Sequence, residues 1–156
     1  MSTQPVLFEV EKQIPQWLAD YFELANAGNY RYKQEFYDHI KPVILKNKAY
    51  RKEKRKYFDL CLASGDIKVI PLKTIEDYIQ EGAALKHCLY TNEYYKKKNS
   101  LILSARKDSK ILETVEVSLI DMEVIQSCGL RNNNSKYHDQ IVKLVSENIP
   151  AICQIN

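Results

Sequence analysis

The fold turns on LILSARKDSKILETVEVSLIDMEVIQSC, residues 101–128. Three strand-like runs (Leu101–Arg106, Ile111–Leu119 and Val124–Cys128) are separated by short stretches at 107–110 and 120–122, as in consecutive antiparallel strands. Side chains alternate across a strand. Ile111, Val115, Val117 and Leu119 therefore share one face of the middle strand, and Leu112, Thr114, Glu116 and Ser118 the other. In the strand before it, Leu101, Leu103 and Ala105 alternate with Ile102, Ser104 and Arg106. A first hairpin loop with an odd number of residues puts Leu103 beside Val115 and groups Ser104 and Arg106 with Thr114 and Glu116. The third strand is open between two registers. A two-residue turn at Ile120-Asp121 places Gln126 beside Val115, whereas a three-residue loop places it across from Glu116, because a one-residue slip exchanges the faces.

Upstream, Ile67–Ile70 reads as a short strand ended by Pro71. Thr74 then caps a helix, with Asp77 completing a capping box and Ile75, Tyr78, Ile79 and Ala83 at helical spacing up to Leu85. A short helix is expected over Glu93–Lys98, and a last one capped by Ser135 and running to Pro150. Before Gly65 the chain reads as three helices: from Pro15 to Gly28, a second carrying Tyr32, Phe36 and Ile40 with Pro42 as a kink or boundary, and a third over about Tyr50–Ala63. The basic first turn of that third helix is unfavourable at the positive end of a helix dipole, unless an anion offsets it or the helix runs back through Lys46.

The class is therefore α+β: a helical N-terminal part, 1–64, packed on a small antiparallel β-meander flanked by helices, 66–156. The aromatic stock of the first part exceeds what three short helices bury among themselves, and Ser64–Asp66 is too short to separate two bodies. A single compact unit over 1–156 is expected, with Trp17 or Phe22 reaching a shared core.

At 156 residues, with 45% hydrophobic and 28% charged residues and only nine Gly and Pro together, the chain can build a core and is neither disordered nor collagen-like. No apolar run approaches the roughly 18 residues that span a bilayer, and Met1–Pro5 opens no signal peptide. Membrane insertion is not expected. Cys61, Cys88, Cys128 and Cys153 lie at least 25 residues apart with no CxxC, so they read as free, mostly buried thiols of a cytoplasmic protein, with no metal or cofactor. The formal charge is +3, yet residues 41–58 carry +7 and the rest of the chain −4. Such asymmetry marks an anionic partner or a solvated helix face. Lys48, Arg51, Lys52, Lys54, Arg55 and Lys56 are the candidate contacts to DNA or RNA phosphates, with Tyr50 and Tyr57 as stacking groups and Lys96–Lys98 as a second basic cluster.

Glu81-Gly82-Ala83-Ala84-Leu85-Lys86-His87-Cys88, followed by Tyr94-Tyr95, resembles the opening EG-x-x-L-x-HC block of the PcfJ-like family. The similarity continues through Ile102 and Arg106 and Thr114-Val115-Glu116-Val117 to Gln126-x-x-Gly129 and Asn132 or Asn133, covering roughly 66–148. The resemblance implies a protein of conjugative plasmids, phages or other mobile elements and implies no reaction; together with the +7 segment it leads to the expectation of an accessory protein that binds nucleic acid or conjugation or phage proteins. Cys88, Thr114, Gln126, Gly129 and Asn132 enter as motif positions of unassigned role.

An enzymatic alternative, hydrolytic or phosphodiester-cleaving, takes His87 as acid–base, Glu116 as its partner and Arg106 as an anion clamp. It requires the three to meet in one concave pocket. A Cys–His dyad between the adjacent His87 and Cys88 is disfavoured, since their side chains diverge on any regular element. The remaining alternative is a scaffold in which these residues only pack and hydrogen-bond across the sheet. No Walker A, GxGxxG, HExxH or GxSxG motif is present.

Overall fold

A computed structural model describes residues 30–156, with side chains described at 38 and from 42 onward. By internal contacts the chain divides into two units, Met1–Ala49 and Tyr50–Asn156, and the sheet lies wholly in the second. The helix expected from Pro15, and with it the placement of Trp17 and Phe22, lies outside the described residues.

One long helix, α1 (Tyr30–Lys54), replaces the second helix and the start of the third, and runs through Pro42. Its continuity removes the dipole conflict: Arg51, Lys52 and Lys54 occupy the last turn, where cations are favourable. After a 3₁₀ turn at Arg55–Tyr57 the chain enters β1 (Leu62–Ser64) and β2 (Ile67–Pro71). Strand β1 overturns the helical reading of 60–63. Ser64-Gly65-Asp66, just beyond the helix expected over Tyr50–Ala63, makes a hairpin with Ser64 paired to Ile67 and Gly65 at φ 59, the glycine-first turn that matches strand twist.

Helix α2 (Ile75–Leu85) has the expected capping box at Thr74 and Asp77. The helix expected at 93–98 is only a 3₁₀ turn, Tyr94–Lys96. Strands β3 (Ser100–Lys107), β4 (Lys110–Ser118) and β5 (Glu123–Cys128) complete a five-stranded antiparallel sheet in chain order. Helix α3 spans His138–Glu147 and α4 Ile149–Ile155, with Pro150 in the first turn of α4. The last helix thus starts at His138 rather than at Ser135, whose hydroxyl and amide are engaged by Glu113.

Two bulges set the faces. The β3–β4 loop has two residues, Asp108 and Ser109, both at positive φ, an even length that by itself would put Leu103 and Val115 out of register. An irregularity beside Ala105/Arg106 adds one residue on β4, so Leu103 pairs with Val115 and Ser104 with Thr114 after all. The extra residue also moves Leu112 to the core side, against the alternation expected for it. A second irregularity, between Glu116 and Val117, follows the 119–122 loop and brings Gln126 opposite Glu116.

One face of the sheet, with Val69, Leu101, Leu103, Val115 and Val117, packs with Ile141, Leu144, Val145 and Ile152 of α3 and α4 as the hydrophobic core. The opposite face carries Ser104 and Thr114, both bonded to Glu81 of α2. The α+β class follows directly. Tyr50 and Tyr57 are core residues at 3% and 1% exposure, not stacking groups: the Tyr50 hydroxyl donates to Leu72 O (2.5 Å) and that of Tyr57 to Asn156 Oδ1 (2.9 Å). Cys61, Cys88 and Cys153 are exposed and Cys128 half-buried, so the thiols are free but mostly not buried: Cys61 and Cys88 sit in loops, Cys128 at the end of β5 and Cys153 in α4.

Candidate functional site

The polar face of the sheet opens into a cavity of about 340 Å³. Its walls are the loop after α2 (His87, Cys88, Leu89, Asn92, Tyr94), the polar side of β3–β5 (Ile102, Thr114, Glu116, Gln126, Cys128) and Asn132.

Local backbone explains how each wall is placed. Lys86 ends α2 in the left-handed conformation (φ 52), and the His87 amide donates to Gly82 O (3.2 Å), so the chain turns back and His87 reaches Thr114. Asn132 is held by a turn in which Arg131 and Asn132 are both left-handed (φ 53 and 64), a conformation that non-glycine residues adopt at a cost. Gly129 permits that turn to lie on the β4 bulge: a Cβ there would stand 2.9 Å from both Asn133 O and Leu112 O, main-chain atoms that cannot rotate away. Gly129→Ala is therefore expected to lower stability by about 1–3 kcal/mol, measured by urea unfolding. A Gly129→Ala chain as stable as the parent would show that the turn is not tied to β4.

Two carboxylates organise the face. Glu81 of α2 is fully buried and accepts from Ser104 Oγ (2.8 Å) and Thr114 Oγ1 (2.7 Å). Arg106 donates from Nε to Ser104 Oγ (3.0 Å) and lies 3.8 Å from Glu81 Oε1. Burial pushes the Glu81 carboxyl up to about 7, against the opposing pull of the two hydroxyls and Arg106. With the Thr114 proton directed at an ionised Glu81, the 3.0 Å contact of Thr114 Oγ1 to His87 requires His87 Nε2 to be the donor. Its Nδ1 is then a lone pair, buried and without a hydrogen-bond partner. Burial lowers the His87 pKa, which keeps the ring neutral.

Glu116 has a different surrounding. It accepts from Ser100 Oγ (2.7 Å), Lys97 Nζ (3.0 Å) and Gln126 Nε2 (2.9 Å), and the same Gln126 nitrogen donates to Tyr94 OH (3.2 Å). Burial favours its neutral form, but these three donors outweigh it and hold the carboxyl below its usual range. Lys97 also stands 4.0 Å from the centroid of the Tyr94 ring.

Of the candidate acid–base trio, His87 and Glu116 line one cavity, while Arg106 sits behind it on Glu81 and Ser104. Cys88, Thr114, Gln126 and Asn132 line the cavity, and Gly129 supports the turn that carries Asn132. Among the basic candidates Lys48, Arg51, Lys52, Arg55 and Lys56 are exposed. Lys54 is not: it is buried at 3% exposure, and its ammonium donates to Lys98 O (2.9 Å) and Ser100 O (2.6 Å). Burial lowers its pKa to about 8.

In the sequence Glu81 figured only as the start of the motif block and Lys97 only within a basic cluster, and Glu113 not at all. The signal for Glu81 was its place three residues after Tyr78 and four before Leu85, on the buried stripe of α2, where a carboxylate needs partners. Glu113 shares the core-side parity of Val115. It accepts from Ser127 Oγ (2.6 Å), from Ser135 N (2.8 Å) and Oγ (2.6 Å), and contacts His138 Nδ1 at 2.8 Å.

Comparison with curated proteins and with solved structures finds no match. A family model described as PcfJ-like protein matches residues 37–142, well over half of the sequence. The match begins inside α1, earlier than the 66–148 span of the motif blocks, and takes in basic residues 48–56 as well as the cavity. The chain belongs to the PcfJ-like protein family.

Proposed function

We propose that this PcfJ-like protein is a cytoplasmic accessory protein of a mobile genetic element that holds nucleic acid on a basic surface at one end of its sheet. The observation that carries the reading is the Lys54 tether. By bonding the carbonyls of Lys98 and Ser100, Lys54 fixes the end of α1 against the start of β3. Two basic runs far apart in sequence, 51–56 and 96–98, thereby become neighbours, with Arg51, Lys52, Arg55, Lys56 and Lys98 exposed. Clustered exposed cations of this kind neutralise phosphates and release counterions. No helix among the described residues is long and apolar enough to cross a membrane, so the cluster is not read as flanking a span.

The test is titration of single- and double-stranded DNA and of RNA across salt. About six phosphate contacts give a log–log slope of roughly −4 to −5, and converting Arg51, Lys52, Arg55 and Lys56 together to glutamine is expected to flatten it by about 3. Absence of binding at low salt, or a slope unchanged in that variant, would overturn the reading and leave a protein of the transfer machinery as the partner to seek.

A further inference from the structure

We infer that the cavity on the polar sheet face receives an unpaired nucleobase from a single strand held on the basic surface, an inference that rests on the nucleic-acid reading above.

The cavity adjoins the basic surface through Lys97, which lies within the 96–98 run and bonds Glu116 in the cavity wall. A strand following the lysines is thus led past the mouth. The lining excludes a phosphate as occupant. Among its titratable groups His87 is a neutral imidazole and Glu116 an ionised carboxylate, and no lysine or arginine lines it. Arg106 is committed to Ser104 and Glu81, outside the walls. The nearest cation, Lys97, is already paired with Glu116, so an entering anion would find no uncommitted cation in the lining.

What the walls do offer is neutral and directional. Asn92 and Asn132 are carboxamides, each pairing a donor with an acceptor on one planar group, the pattern that complements base edges, and Gln126, whose Nε2 is taken by Glu116 and Tyr94, adds its carbonyl oxygen. His87 Nδ1 adds an unpartnered polar atom, an acceptor while Glu81 is ionised. Leu89 and Ile102 supply apolar surface for a flat ring. Nor is the arrangement accidental to the fold: Asn132 reaches the wall on a turn with two consecutive left-handed residues, and strain of that kind concentrates where a side chain must be aimed. A cavity of about 340 Å³ falls in the range of small-molecule sites. Duplex DNA hides its base faces by stacking and its Watson–Crick edges by pairing, so a base that enters a cavity must come from a single strand or an unstacked position.

The experiment compares the full chain binding an oligothymidylate, an oligodeoxyadenylate and an oligodeoxycytidylate of about a dozen nucleotides with an abasic oligonucleotide of equal length and charge. At least one base-bearing strand is expected to bind about tenfold more tightly than the abasic strand, with the same salt slope. Asn132→Ala and, separately, Asn92→Ala should each lower the binding of that strand toward the abasic level and leave abasic binding and its salt slope unchanged. Asn92 is exposed on a loop, so its variant keeps the test valid if the Asn132 turn does not fold. Equal affinities for base-bearing and abasic strands, with the salt slope intact, would overturn the base pocket and leave the basic surface standing. A loss of salt-dependent binding to every strand would overturn both.

Discussion

Replacing Glu81 by glutamine is expected to make the protein more stable relative to its parent as pH rises, by roughly 3 kcal/mol between pH 4.5 and 8.5. The sign follows from burial. In the unfolded chain the Glu81 carboxyl titrates near 4.5, whereas in the folded chain it titrates at about 7. Between those values the folded state binds the extra proton, so the parent loses stability as pH rises through the window, and the loss is complete above about 7. Glutamine does not titrate, and its nitrogen can donate to Thr114 Oγ1 as a protonated Glu81 would. The Thr114 hydroxyl then turns toward His87 Nε2, and His87 carries its proton on Nδ1. Urea unfolding of parent and Glu81→Gln at the two pH values measures the difference. A gap between them that does not change with pH would mean that Ser104, Thr114 and Arg106 keep Glu81 ionised throughout, and the raised pKa would be wrong.

Glu113 lies on the other side of the sheet and titrates the other way. Burial alone would raise its carboxyl, but Ser127, Ser135 and His138 together outweigh burial and lower it. Its stabilisation is therefore full above the ordinary carboxylate range and lost as pH falls through the lowered value. Glu113→Ala should cost about 3 kcal/mol at neutral pH, since it strands several donors at a buried position. The variant should also lose less additional stability than the parent on acidification below about pH 4. His138 reports on it independently: its Nδ1 lies 2.8 Å from Glu113 Oε1, so the NMR resonances of its imidazole ring should move in Glu113→Ala as that contact is lost. Unchanged His138 ring resonances together with a cost under 1 kcal/mol would show that this cluster does not tie α3 to the sheet.

The balance between local and tertiary information differs from element to element. The Thr74–Asp77 box was legible because a capping box is closed within four residues. The grouping of Ser104 and Arg106 on one strand and of Thr114 and Glu116 on its neighbour was legible because alternation is a property of each strand alone. How the strands pair was not. Counting loop residues gives the wrong parity at both hairpins, since each carries an irregularity that restores it and no residue type marks its place. The same limit hid the roles of Lys54 and Glu81. In sequence they are one more charge on a helix. Their burial depends on Lys98 and Ser100, at least 44 residues from Lys54, and on Ser104 and Thr114, at least 23 residues from Glu81. Tyr50 and Tyr57 made the opposite error possible: beside a basic run they look like stacking groups, and the packing of the sheet's flanks makes them core. By itself, then, the sequence determined the α+β class, the strands of the meander and the residue types on its polar face, all set by short-range periodicity and sterics. Only the tertiary structure decided which charges are buried, which face Gln126 occupies and that a cavity forms there, because desolvation and hydrogen-bond pairing are settled between segments that the chain keeps far apart.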